Sequence, residues 1–174
     1  MAFEIHSDIT NRSMTIASRA MRKVLRRKRN IIWAIYGWSV FFINTLLLIP
    51  FDGEVFTLDA STAILLLVEV MLLSALLFQD RINGMIACKN TLAGTKEYHV
   101  VFGEESYTVV TEVTTSTFRY ELIDAMAESQ DYMILLMKKR YAQPLDKRTL
   151  TGGTVEEFKR FLEEKTGKTF RRVK

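Results

Sequence analysis

Few residues in this 174-residue chain combine the types and spacing that catalysis or metal binding requires. Its two histidines, His6 and His99, lie far apart in the chain, and neither has a cysteine or acid cluster at metal-ligand spacing. Cys88 is the single cysteine, which excludes an internal disulfide and a cysteine-based zinc site. Gly152 and Gly153 precede a helical pattern and could cradle an anion, but no Lys-Ser/Thr pair follows, so they read as a hinge. Glu104 with Glu105, and Glu163 with Glu164, are sequence neighbours and read as solvated charge. No G-x-S-x-G elbow, phosphate loop, dinucleotide-binding glycine pattern or H-E-x-x-H occurs. The expectation is a non-enzymatic protein with no catalytic residues, no metal and no cofactor. One titratable residue stands out: Glu69 sits in an otherwise apolar run.

The elements that carry these residues follow from how charge is distributed. Residues 1–30 hold eight Lys/Arg and two acids, residues 31–80 no Lys/Arg and five acids, and residues 81–174 sixteen and thirteen. Residues 31–49 run nineteen positions without a charge, about 28 Å as a helix, which is close to a bilayer's hydrocarbon thickness. A soluble core helix keeps a polar stripe, and this run has none. A second apolar run covers 58–78, and a short turn with Pro50, Gly53 and three acids connects the two. The pattern predicts a transmembrane hairpin over 30–79. Six basic residues within 22–29 precede the first span and none lies in the connection, so both termini are expected inside and the acidic loop outside. A multi-pass protein of the cell membrane is the implied localisation.

Inside the hairpin, polar side chains are few. A charged Glu69 near mid-span costs roughly 2.5–3.5 kcal/mol, so a partner is expected. Counting inward from the loop sets Ser39 at comparable depth, with Asn44 nearer the outer surface. Glu69, Asn44 and Ser39 therefore form the candidate intramembrane polar contact, serving helix adhesion within or between protomers, or proton relay.

On the inner side, residues 1–29 form an N-terminal segment with a basic amphipathic helix whose apolar positions include Met14, Ala17, Met21, Val24 and Leu25. Beside a membrane, Arg22, Lys23, Arg26, Arg27, Lys28 and Arg29 are candidates for contact with anionic lipid of the cytoplasmic leaflet, and no nucleic acid is expected. Residues 80–94 read as a short linker helix. Cys88 is placed for acylation, though a small apolar role is the plainer reading.

From residue 95 the period changes from helical to two. Strands are expected over 97–102, 106–113, 116–124, 132–139 and 140–146, joined as an antiparallel meander. Thr154 with Glu157 makes a capping box, so a helix begins at Val155, and Gly167 stops it. Its apolar face, Val155, Phe158, Phe161 and Leu162, is the natural cover for the sheet. The fold class is α+β: a two-helix hairpin plus a cytoplasmic meander closed by one helix, with the domain at 95–170. Lys138, Lys139 and Arg140 cluster at a hairpin and are a further candidate lipid contact, with Lys147 and Arg148 at the other end of that ribbon.

The order of parts resembles the YcxB-like family of small bacterial membrane proteins, over nearly the whole chain. YHVVFGEESYTVVTE, FRYELIDAMAESQDYMILLMKKRYAQPLDKRTL and VEEFKRFLEEKTG carry the resemblance. Tyr120 and Ile123 take the places of the family's aromatic and mid-domain Ile, whereas Gln143-Pro144-Leu145 replaces its Ile-Pro-Lys step. The resemblance implies a pleckstrin-homology-like domain and supplies no catalytic residues. Three functions are compatible with these features. The first is a membrane-tethered binding or regulatory module whose partner is an unidentified membrane or cytoplasmic protein or a second copy of the chain (a homo-oligomer). The second is an oligomeric transport or channel component using Glu69. The third is a protective, immunity-type membrane protein.

Overall fold

The computed structural model describes residues 3–49, 59–137 and 141–173. The acidic connection at 50–58 and the basic cluster Lys138, Lys139 and Arg140 lie outside the described residues.

Among the described residues eight strands form two four-stranded sheets. The first sheet has the order β1 (Phe3–Asp8), β2 (Glu97–Phe102), β3 (Ser106–Thr111), β4 (Thr115–Arg119), antiparallel throughout. The second runs β7 (Tyr141–Asp146), β6 (Tyr132–Met137), β5 (Ile123–Glu128), β8 (Phe170–Arg172), with β8 parallel to β5 and the rest antiparallel. A single meander was the expectation. The chain leaves the first sheet after Arg119 through a 3-10 turn at Tyr120–Leu122, and β5 starts the second. The buried Tyr120 ring anchors that corner by donating its hydroxyl to the Gly103 carbonyl at 2.6 Å.

A further correction concerns the start of the domain. Its first strand is β1, not residue 97: Phe3 pairs with Phe102 and Asp8 with Glu97. The alternation of FEIHSD puts Phe3, Ile5 and Ser7 inward, and Phe3 and Ile5 join the main core. A domain cut at 95–170 therefore lacks one edge strand of the first sheet and most of β8.

The main core fills the space between the sheets and beneath α4 (Val155–Thr166), with Phe102, Tyr107, Met126, Leu135, Phe158 and Leu162 all fully buried. The capping box at Thr154 and the left-handed Gly167 define α4 as its sequence predicts. The outer face of the second sheet carries another core, in which Ala127, Ile134 and Leu136 meet Ala17, Ala20 and Met21. This explains YMILLM in β6. A strand covered on both faces has no solvent side, so its sequence is continuously apolar and shows no alternation.

Between β1 and β2 the described residues form three α-helices: α1 (Asn11–Ala20), α2 (Arg27–Leu47) and α3 (Ala60–Lys89). The basic arm is not one helix. A π turn at Met21–Leu25 separates α1, docked on the second sheet, from α2. The expected linker helix at 80–94 is also not separate. Helix α3 continues unbroken for thirty residues, about 45 Å, so its far end is a rigid extension of its apolar part. Helices α2 and α3 are both long and apolar enough to cross a membrane, and their apolar windows are not buried against the rest of the protein.

Candidate functional site

The helices and the sheets meet at a junction built from small residues and one carboxylate. Gly84 of α3 is buried against Thr15 of α1, where an added Cβ would stand 2.6 Å from the Thr15 nitrogen. One helical turn earlier, Asp80 receives a two-pronged hydrogen bond from Arg22, with Nε at 2.6 Å from Oδ1, and Arg19 approaches to 3.5 Å. Asp80 is almost fully buried, so a compensating cation is obligatory there. The linker's first residue thus acts as the counter-ion for the basic arm. Nothing local in the sequence signals that pairing.

Arg22, expected at the lipid, is therefore held by Asp80. Arg27, Lys28 and Arg29 are exposed on the first turn of α2, Lys23 is exposed on the π turn, and Arg26 is half-buried. Arg22, Arg26 and Arg29 line a recess of about 660 Å3 together with Trp33 of α2 and Gln79 and Asn83 of α3. The π turn brings these arginines round to the α3 side.

The intramembrane contact expected of Glu69 is corrected in its partner. Thr45 Oγ1 donates to Glu69 Oε1; Ser39 instead bonds the Ile35 carbonyl at 2.9 Å within its own helix, and Asn44 makes no recorded bond to Glu69. Gly37 against Leu76 confirms the same antiparallel register. Thr45 is six residues beyond Ser39, so α3 projects past the end of α2 on the loop side. Equal counting from the loop fails for that reason. Glu69 Oε2 has no hydrogen-bond partner.

A cavity of about 430 Å3 opens between α1, the end of α3, the β3–β4 ribbon and β7. Met14 and Ala17 from α1, Leu92 after α3, Val109 and Phe118 from the first sheet, and Pro144 from β7 make most of its wall apolar. Tyr98 closes one side and donates its hydroxyl to the Pro144 carbonyl. Burial, with the neighbouring Tyr141 adding to it, pushes the Tyr98 phenol far above its ordinary value, so it stays a neutral donor. Gln143 also lines the cavity, is 2% exposed, and has no partner for either its amide nitrogen or its amide oxygen.

The histidines, dismissed as ligands from their sequence separation, are brought together: His6 and His99 pair across β1 and β2 with rings stacked at 4.1 Å. His99 Nε2 lies 3.2 Å from Glu4 Oε2, an ion pair only when the imidazole is protonated, and the geometry is not that of a hydrogen bond. Among the described residues no group of three His, Cys, Asp or Glu is placed to hold a metal ion. Cys88 is half-buried and its thiol points at the Ile9 carbonyl at 3.7 Å.

The family model described as YcxB-like protein matches residues 102–162. Those residues form a YcxB-like domain. The match begins at the end of β2 and stops inside α4, so β1 and all three helices before β2 lie outside it. No curated protein and no solved structure matches the chain.

The YcxB-like domain supplies much of the cavity's sheet wall, including Val109, Phe118 and Gln143, while α1, the end of α3 with the loop after it, and Tyr98 of β2 supply most of the remainder. Gln143 carried a readable signal. Tyr141, Gln143 and Leu145 share one face of β7, so a glutamine occupies a core-facing position between an aromatic and a leucine.

Proposed function

We propose that this chain is a non-enzymatic, membrane-tethered binding module whose YcxB-like domain faces the cytoplasm. The observation that carries this reading is the continuity of α3. One uninterrupted helix runs from an apolar segment to Asp80, Gly84 and Ala87, the last of which borders the cavity. A domain seated in this way moves with its membrane anchor. Four antiparallel strands, three more and a C-terminal helix support a pleckstrin-homology-like architecture, with the transmembrane hairpin inserted between the first two strands. The exposed Arg27, Lys28 and Arg29 at the start of α2, together with Lys23 and Arg26, suit contact with anionic lipid of the inner leaflet.

Reporter fusions test the topology. Fusions after Met1 and after Lys174 should both read cytoplasmic, and one within 52–58 external. A cytoplasmic signal from the 52–58 fusion would refute the reading.

A second reading keeps Glu69 as the contact between copies, because its Oε2 is unpartnered in a helix whose surroundings are apolar. It predicts that Glu69→Gln lowers cross-linking between protomers without lowering membrane insertion.

A further inference from the structure

We propose that the recess between the start of α2 and the middle of α3 is a site for one phospholipid headgroup: a phosphate diester with a neutral, hydroxyl-bearing head, as in phosphatidylglycerol. The inference rests on the reading of α2 and α3 as membrane spans. It gives the tether one defined lipid where the basic block alone gives a diffuse attraction.

The level of the recess is the first observation. The charge-free run of α2 begins at Ile31, directly after Asn30, and the apolar run of α3 ends at Phe78, directly before Gln79. Asn30 and Gln79 both line the recess, so it lies where both apolar segments stop. In a bilayer that boundary is the level of the lipid headgroups. Trp33 also lines the recess and is 62% exposed, the position of an aromatic anchor at the interface.

Charge is the second. Three arginines, Arg22, Arg26 and Arg29, line the recess, and no acid does so among the described residues. Arg22 is bonded to the buried Asp80, whereas Arg29 is exposed. The start of α2 has no side-chain cap and no acid in its first turn, so the helix dipole adds to the positive field. Guanidinium groups present paired N–H donors, the arrangement that phosphate oxygens accept.

The third observation concerns the head itself. Gln79 and Asn83 stand four residues apart on α3, hence on one face, and both are exposed into the recess. Their amides offer donors and acceptors together, which suits hydroxyl groups. An ammonium head would meet guanidinium groups and find no carboxylate on the wall. A volume of about 660 Å3 falls inside the usual range for small-molecule sites. The acyl chains would leave past Trp33 into the bilayer.

The full chain in dodecylmaltoside micelles is titrated with phosphatidylglycerol, phosphatidylcholine and glycerol 3-phosphate, and bound molecules are counted by native mass spectrometry. One phosphatidylglycerol per chain should bind at least about tenfold more tightly than phosphatidylcholine, the difference expected for losing one charge-assisted contact. Glycerol 3-phosphate, which has the phosphate without the acyl chains, should bind more weakly than the lipid by at least about the same factor. Arg29→Gln should weaken phosphatidylglycerol about tenfold, equivalent to 1.4 kcal/mol. Arg81→Gln, an equal loss of charge at an exposed α3 position outside the recess, should leave that affinity unchanged. Asn83→Leu should weaken it about fivefold, the loss of one net neutral hydrogen bond. Equal affinity for the two lipids, equal weakening by Arg29→Gln and Arg81→Gln, or glycerol 3-phosphate binding as tightly as the lipid would overturn the proposal. Binding in micelles does not depend on which way the chain faces, so the lipid titration and the reporter topology fail separately.

Discussion

Gly84 of α3 lies against the backbone of Thr15 of α1 so closely that a methyl group would stand within 2.6–2.7 Å of the Thr15 nitrogen and Cα. The obstacle is main chain, which cannot swing aside as a side chain would. Helix α1 is pinned on its other face to the second sheet through Ala17 and Ala20, so it cannot retreat without opening that core. Gly84→Ala is therefore expected to destabilise the full chain by about 1–3 kcal/mol through overpacking. By contrast, Gly37→Ala would meet only the end of the Leu76 side chain and should cost less. Thermal melts of both variants in nanodiscs decide this, and the reverse order would show that the α1–α3 contact is not what holds the junction.

The Arg22–Asp80 bridge makes a second prediction at the same junction. Asp80 has 11% of its side chain exposed and Arg22 30%, so Arg22 is partly screened by water and Asp80 is not. Removing Arg22 leaves a buried carboxylate without its two-pronged donor. Arg22→Leu should cost about 1.5–3 kcal/mol, the range for hydrogen bonds to charged groups, with Arg19 offsetting part of it. Adding Asp80→Asn to that variant should recover stability. A double variant less stable than Arg22→Leu alone would contradict the pairing.

The sheet–helix contact gives the third. Phe158 is fully buried, touching Phe102 edge-on at 4.7 Å between ring centres and Phe3 at 5.2 Å. Phe161 is only half-buried. Phe158→Ala should cost about 3–5 kcal/mol and Phe161→Ala clearly less. A fragment of residues 95–174 is the wrong object for the measurement, because it lacks Phe3 and Ile5 from β1. That fragment should itself melt lower than the full chain; an equal melting temperature would show that β1 contributes nothing to the core.

The pattern of what the sequence disclosed follows the range of the interactions. Thr154, Glu157 and Gly167 interact within a few residues of each other, so α4 and both its caps are legible in the chain. The lengths of the two apolar runs and the basic block before them are equally local. By contrast, β1 pairs with β2 across the whole three-helix insertion, and no residue in FEIHSD names its partner. Strand β5, IDAMAE, escaped because alanine, methionine and glutamate favour helix, and burial on both faces of the second sheet overrides that preference. Gly84 looks like an ordinary helix-weakening glycine until Thr15 is placed beside it. The partner of Glu69 was missed because the hairpin's register depends on how far α3 projects, which loop length alone does not fix. Gln143 was visible as a polar residue at a core-facing position.

The last prediction concerns pH and Glu128 on β5. Burial alone would raise its carboxyl, but Lys147 at 2.6 Å and Lys159 at 3.0 Å outweigh that and hold it below the ordinary value. Lys147 also donates to the Ser129 carbonyl at 2.6 Å, so the charge pair ties the β5–β6 turn to the end of β7, and Lys159 ties it to α4. Lys147, placed from sequence at the far end of the β6–β7 ribbon, is turned inward. With the folded carboxyl more acidic than the unfolded one, the interaction stabilises the protein fully above the unfolded value of about 4.3. It is lost as pH falls from there through the folded value, because the unfolded chain takes up the proton first. Stability of the wild-type chain should accordingly decline from about pH 5 downward, and Glu128→Gln should lower the neutral-pH stability while flattening that decline. The measurement is urea midpoint against pH for both proteins. Parallel curves, with the same slope below pH 5, would show that Glu128 is not the group that titrates on acid unfolding.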